Sequence, residues 1–248
     1  MRGARVWDHG GRATRTMKST DPSVSVVIPT LDEESGIEAC LAQFDLGAPV
    51  EVIVVDGGSR DRTRDLAESR CGVRVIEAER GRGTQMNEAA RHARADTLLF
   101  LHADTFLPAG WLAAVSAAMA DPRISGGWFR LRTHCPQRSR LTNLALRMCD
   151  IRPNLFGQPW GDCAFFVRRR TFEEMGGYQD IPLMEDCDFA ERMSARGRVA
   201  RLPLTVTTSG RRFAARPIRT TAMTLTFPIL FKLGVSARTL GRLYGLAR

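Results

Sequence analysis

Between Val24 and Leu101 short apolar, β-branched runs alternate with segments that carry apolar residues at helical spacing. Val24–Ile28 is the first run, ended by Pro29. In the segment after it, Leu31–Asp45, the residues Ile37, Cys40, Leu41 and Phe44 share a face, and Asp32 and Glu33 favour the helix start. Val50–Val55, Val73–Glu77 and Thr97–Leu101 are further runs, separated by the helical segments Arg60–Arg70 and Thr84–Ala95. Strands of this kind alternating with helices predict an α/β fold, a mostly parallel central sheet flanked by helices.

Downstream the pattern continues less regularly. Pro108–Ala120, Arg138–Asp150 and Glu185–Arg196 predict helices, and Gly127–Thr133, Cys163–Arg168 and Val199–Thr208 predict strands. With no internal repeat and no long linker, we read one domain over 23–213. A disordered basic leader precedes it at 1–22, and a basic amphipathic helical arm follows at 214–248.

The chain of 248 residues carries 36 basic and 27 acidic side chains, a formal +9 that by itself suggests nucleic acid, anionic lipid or phosphorylated ligands. Its distribution narrows the choice. Glu191 is the last acidic residue and 12 basic residues follow it, while Ser23–Glu191 holds 19 basic and 25 acidic residues, a net of −6. An acidic body with a basic arm is not the basic stripe of a general nucleic-acid binder. At 44% hydrophobic and 25% charged, the composition excludes dominant disorder and collagenous or coiled-coil designs. The six cysteines form no CxxC and suit neither a zinc site nor a disulfide scaffold, so they predict reduced core thiols. The leader lacks the apolar region of a secretory signal. The best candidate for a membrane span, Thr220–Phe231, has 12 residues where about 20 are needed. The expectation is a cytoplasmic protein. Its arm (Met223, Leu225, Phe227, Ile229, Leu230, Phe231) docks on the body, joins two copies, or lies on anionic lipid at the inner face of the membrane.

Ligands of parallel sheets bind beyond the C-terminal ends of the strands. Three polar clusters sit there: Pro29-Thr-Leu-Asp-Glu33, Asp56-Gly-Gly-Ser59 and His102-Ala-Asp104. Three strand ends thus supply carboxylates to one rim. In Asp56-Gly-Gly-Ser-Arg-Asp61 the glycines allow close backbone approach and the carboxylate can accept base or ribose hydrogen bonds; the same residues also suffice for a capped turn. Asp104 can hold a divalent ion bridging a nucleotide diphosphate, and His102 either assists a metal such as manganese or is structural. Arg80-Gly-Arg-Gly-Thr-Gln-Met-Asn87 suits a phosphate at a helix start, or a solvated basic turn. Glu185-Asp-Cys-Asp188 is either an ordinary acidic helix start or the seat of a general base. Asp186 and Asp188, two residues apart on a helix, diverge. There is no GxGxxG and no Walker lysine motif.

Ser25-Val-Val-Ile-Pro-Thr-Leu-Asp-Glu-Glu34, Val54-Val-Asp-Gly-Gly-Ser-Arg-Asp61, Leu101-His-Ala-Asp104 and Glu185-Asp186 together resemble the ordered signature of family 2 glycosyltransferases with the GT-A fold. The resemblance covers about Val24 to Gly210. His102-Ala-Asp104, Gly157-Gln-Pro-Trp-Gly-Asp162 and Ser209-Gly-Arg-Arg-Phe213 further resemble a bacterial branch associated with arsenosugar and radical-SAM/selenodomain genes. The resemblance implies inverting transfer of a sugar from a nucleotide-diphosphate donor, UDP-linked, to an unidentified hydroxyl acceptor, with no nucleic-acid partner. Pro29, Thr30, Leu31, Glu33, Asp56, Gly58 and Ser59 would hold the nucleotide, with Arg80, Gly83, Asn87, His102 and Ala103 around it. Asp104 would hold Mn2+ or Mg2+ and Asp186 would be the general base. Trp160, Gly161, Asp162 and Glu185 would line the acceptor pocket, and Arg211 and Arg212 would touch phosphate. Two features depart from the family pattern. His102 stands where the DxD motif has its first carboxylate, and the QxxRW motif of processive synthases is absent along with their membrane helices. Two other readings compete: a nucleotidyltransferase, which leaves Glu185-Asp186 without a task, and a non-catalytic basic module for membrane or nucleic acid.

Overall fold

A computed structural model of the chain describes residues 22–44, 49–135, 140–155, 159 and 161–245. Apart from Pro22, the expected leader lies outside the described residues. Strands β1 (Val24–Thr30), β2 (Val50–Asp56), β3 (Val73–Glu77) and β4 (Thr97–Phe100) pair in parallel in the order β3-β2-β1-β4. β1 is buried throughout and β2 along all but its first residue, which is why both read as apolar runs; the polar residues within them, Ser25 and Glu51, are buried together, Ser25 Oγ donating to Glu51 Oε2 at 2.6 Å. The chain steps outward from β1 to β3 and then returns to the other side of β1 at β4. That reversal opens a crevice beyond the C-terminal ends of β1 and β4.

The intervening helices are α1 (Ile37–Ala42), α2 (Thr63–Glu68) and α3 (Arg82–His92). The first starts later than its acidic residues predict. Asp32 takes a left-handed conformation (φ 54°), which aspartate tolerates better than most residues, and no helix begins there. The loop after β1 is instead laced to the loop after β2. Asp32 N donates to Ser59 Oγ (3.0 Å), Glu33 N to Thr63 Oγ1 (2.8 Å) and Glu34 N to Asp61 Oδ2 (3.1 Å). In return Arg60 N donates to Asp32 Oδ1 (2.8 Å).

The rest of the chain adds β5 (Thr105–Phe106), α4 (Trp111–Met119), β6 (Ile124–His134), α5 (Arg140–Leu155), β7 (Phe165–Arg168), α6 (Arg169–Glu174), α7 (Glu185–Arg196) and β8 (Arg198–Ser209). Among the described residues all strands join one sheet, ordered β3-β2-β1-β4-β7-β6-β8-β5. β7 runs antiparallel to both β4 and β6, while β6 and β8 pair in parallel. Gly127 permits the β6–β8 contact: a Cβ there would overlap the Ala200 carbonyl oxygen. The register shifts where β8 passes through Pro203, which has no N–H to offer a ladder.

Aromatic packing fixes α7 against the end of β4. Phe189 stacks on Tyr178 at 4.2 Å and 16°, and both crowd Phe100, with Phe165 and Phe172 beside them. Cys40, Cys135, Cys149 and Cys163 are buried, as expected of core cysteines; Cys71 is exposed. The C-terminal region forms α8 (Arg211–Ala215), α9 (Pro217–Lys232) and α10 (Ala237–Tyr244). α9 docks through Phe227 onto Leu183, Met184 and Leu240, with Met223, Leu230 and Phe231 packed around them. α9 also lies along α5.

Candidate active site

The register of the sheet brings the strand-end residues together. Pro29 sits beside Val55, and Thr30 beside Asp56. Asp56 is buried, and its carboxylate is engaged by its own loop. Oδ2 accepts the amides of Gly58 (3.0 Å) and Ser59 (2.9 Å), and Oδ1 accepts the hydroxyls of Ser59 (2.5 Å) and Thr30 (3.4 Å). The result is a stiff turn whose tip, Gly58, has a positive φ of 87° and open space above it. A buried residue overlooked in the sequence holds this turn from below: Gln85 of α3 donates from Nε2 to the carbonyls of Thr30 (2.8 Å) and Val55 (2.9 Å). Nothing in the sequence separates this glutamine from a solvated helix residue.

At the end of β4, His102, Asp104 and Asp162 converge, each offering one ligand atom within 4.8 Å of the others. His102 Nδ1 shares a 2.6 Å hydrogen bond with Asp162 Oδ1. Enclosure works against charge at both groups, but the bond and the opposite charges prevail. The His102 imidazole is raised above its ordinary range, and the Asp162 carboxyl is held down at about 2. Asp104 moves the other way: burial and the charge of Asp162 push its carboxyl up. An imidazole and two carboxylates suit Mn2+ better than Mg2+, which favours an all-oxygen shell. Arg211, first residue of α8, reaches back over the rim. It pairs with Glu33 through two guanidinium nitrogens (2.8 and 2.5 Å) and stands 3.6 Å from Asp104.

The first turn of α7 supplies the far wall. Asp186 Oδ2 accepts the amide of Gly161 (2.7 Å) and Oδ1 that of Cys187 (2.8 Å). A Cβ on Gly161 would lie 2.9 Å from His102 Nε2 and 3.5 Å from Asp186 Oδ2, so both side chains converge on this glycine. Glu185 turns inward: it is buried, ion-paired through Oε1 to Arg82 Nε at 2.8 Å, and its Oε2 has no hydrogen-bond partner. Burial pushes the Glu185 carboxyl up, against the pull of Arg82, and the charge of Asp186 adds to the rise. Asp188 diverges as expected and pairs with Arg192 at 2.6 Å.

Other expected residues stand elsewhere or do other work. Of the basic turn, Arg80 is exposed, whereas its neighbour Arg82 is the arginine that reaches Glu185. Gly83 is buried, and a Cβ on it would lie 2.7 Å from the Gln179 carbonyl oxygen, so it serves helix packing. Both ends of the Asn87 amide are taken by the backbone of Tyr178, each at 2.8 Å. Ala103 is buried and Leu31 half-buried at the rim. Arg212 is exposed and donates to the Tyr244 hydroxyl at 3.1 Å. Trp160 lies outside the described residues.

Known proteins share this fold. The mannosyltransferase PcManGT of Pyrobaculum calidifontis, solved with GDP-Man and Mn2+, superposes with a TM-score of 0.61 at 23% identity, over 88% of this chain and 66% of its own. This likeness shows the fold, a GT-A-like α/β architecture. An N-acetylglucosaminyltransferase of Azorhizobium caulinodans is 26% identical over 134 residues, 50% of this chain and 34% of the relative. The UDP-forming cellulose synthase 1 catalytic subunit of Komagataeibacter xylinus is 27% identical over 206 residues, 71% of this chain and 26% of the relative. The chain therefore spans about a third or less of the length of these two relatives. The family model "Glycosyl transferase family 2" matches residues 25–176, more than half of the chain and the whole run from the first strand end to α6. On that match the chain belongs to glycosyl transferase family 2.

Proposed function

We propose that the protein transfers a sugar, with inversion, from a nucleotide-diphosphate donor to a hydroxyl acceptor, Asp186 acting as general base. The observation that carries this reading is the convergence of Asp186 and His102 on Gly161, beside Asp104 and Asp162. Asp186 spends one lone pair of each oxygen on a backbone amide and retains the others, so an acceptor hydroxyl can be oriented and deprotonated there. The donor nucleotide lies over Thr30, Asp56 and the Gly58 turn. UDP is the first candidate by analogy with the cellulose synthase relative, and GDP, the nucleotide of the mannosyltransferase, is the alternative. His102, Asp104 and Asp162 would hold Mn2+. Bound there, the metal would offset the charge of the departing diphosphate. Within the family we assign the chain to the arsenosugar- and radical-SAM-associated branch on the motifs around His102 and Ser209, which does not identify the acceptor.

The test compares wild type and Asp186→Asn with UDP-glucose, UDP-N-acetylglucosamine and GDP-mannose, measuring donor binding and release of nucleoside diphosphate. The variant is expected to bind donor normally and to turn over about 10²–10⁴-fold more slowly. Normal turnover by Asp186→Asn removes the general base. Release of pyrophosphate from a nucleoside triphosphate instead identifies a nucleotidyltransferase.

A further inference from the structure

Of the arm residues expected to dock on the body, join two copies or lie on lipid, Met223, Phe227, Leu230 and Phe231 dock inward, and Ile229 is left outside with others. On α9 and at its C-cap the residues Ile218, Ala222, Thr226, Ile229 and Leu233 follow one another at three- and four-residue steps, and all are exposed. Ile218, Ile229 and Leu233 are 71%, 54% and 76% exposed. On the neighbouring helix α5, Leu144, Met148 and Ile151 form a second exposed stripe, opposite the face that buries Ala145 and Cys149. The carboxylate of Asp150 on α5 is turned in to Thr133. Arg211–Gly245 carries seven basic and no acidic side chains, and Arg219, Lys232, Arg238 and Arg242 are exposed.

We infer that the α5–α9–α10 face binds peripherally to an anionic lipid surface. Aliphatic stripes flanked by arginines and a lysine are the composition of an interfacial helix, with apolar side chains entering the acyl boundary and cations meeting lipid phosphates. A second copy is a poorer occupant, because a two-fold contact would set these cations against their own copies with no carboxylate between them. A nucleic acid is poorer still, because it offers nothing apolar to the exposed leucines and isoleucines, and the aromatic residues of the arm are buried or half-buried. No helix among the described residues is long and apolar enough to cross a membrane, so the contact lies in the surface plane.

The test is sedimentation of the full chain with vesicles of phosphatidylcholine alone and of phosphatidylcholine with phosphatidylglycerol. Binding is expected to the anionic vesicles and to weaken with salt. Leu233→Ser and Ile229→Ser should each lower the partition coefficient about ten-fold. Arg238→Gln and Arg242→Gln should each lower it about five-fold. All four residues are exposed, so melting temperature and donor binding stay at wild-type values. Equal affinity for both vesicle types, no binding to either, or wild-type binding by all four variants overturns the inference. So does a concentration-dependent dimer that Leu233→Ser abolishes, which would name a second copy as the occupant.

Discussion

Replacing Gln85 with leucine should loosen the rim proposed to hold the nucleotide, by removing support from behind it. The side chain is buried and donates to two carbonyls, Thr30 O and Val55 O, at the ends of adjacent strands. Leucine has similar bulk and no donor. An orphaned buried carbonyl costs about 1–3 kcal/mol. Here Thr30 O keeps the amide of Gly57 (3.0 Å), and Val55 O shares the one hydroxyl proton of Thr30 (3.4 Å) with Asp56, so the lower end applies. The total is about 2 kcal/mol, and for a domain of this size a loss of about 4–8 °C in melting temperature. The Gly57–Ser59 turn rests on the same carboxamide, a Gly57 Cβ position lying 3.0 Å from it, so donor affinity falls along with stability. Thermal unfolding and a nucleotide titration read the two effects. A Gln85→Leu protein that melts with wild type and binds donor equally well would refute the idea that this glutamine ties the strand ends together.

Arg82→Ala leaves Glu185 buried beside Asp186 with its pairing cation gone, and the cost depends on pH with a definite sign. The fold disfavours the ionised carboxylate and raises its pKa, so the loss of stability is absent below the ordinary glutamate range and grows as pH rises through the folded-state value. Urea unfolding of the variant at acidic and neutral pH should show stability relative to wild type recovering on acidification; a pH-independent difference contradicts the pairing. Mn2+ affinity, followed by paramagnetic resonance of the free ion, should strengthen as pH rises through a transition above the ordinary histidine range, because His102 must shed a proton that Asp162 helps retain. Asp104→Asn should remove most of that affinity, and unchanged binding would take Asp104 out of the metal site. Gly127→Ala places a methyl against the Ala200 carbonyl and should cost several kcal/mol or prevent folding, visible as loss of soluble protein or of cooperative unfolding.

The parallel half of the sheet was legible because β1, β2 and β4 are buried on both faces and each ends on a polar cluster, while the half-exposed β3 still carries the branched residues Val73, Val75 and Ile76. The other half was less so. β5 has only two residues, and the placement of β7 between β4 and β6 depends on pairings between strands far apart in sequence. α6 follows β7 without a break, at Arg169-Arg-Thr, and no turn signal marks it. In the site, the carboxylates at Asp56, Asp104 and Asp186 could be picked out because strand ends and helix starts announce themselves. Gln85 and Arg82 could not. Their partners, the Thr30 carbonyl and Glu185, lie 55 and 103 positions away, and only the folded chain brings them together. For the same reason the motif around Arg80 gave no hint that its neighbour Arg82 pairs with Glu185.

The lacing of the loop after β1 to the loop after β2 has a consequence for how the protein meets a ligand. Five hydrogen bonds cross between Asp32–Glu34 and Ser59–Thr63, and they take up all three backbone amides of the first loop. Two strand ends that would otherwise fluctuate separately move as one rigid lip. If the donor settles on that lip as proposed, it would freeze little motion that the fold has not frozen beforehand, and little of its contact energy would be lost to ordering the protein. Discrimination between donors then falls to the shape and charge of the lip itself. A substitution at Ser59 or Thr63 should accordingly register at Glu33, one loop away, before it registers in the stability of the sheet.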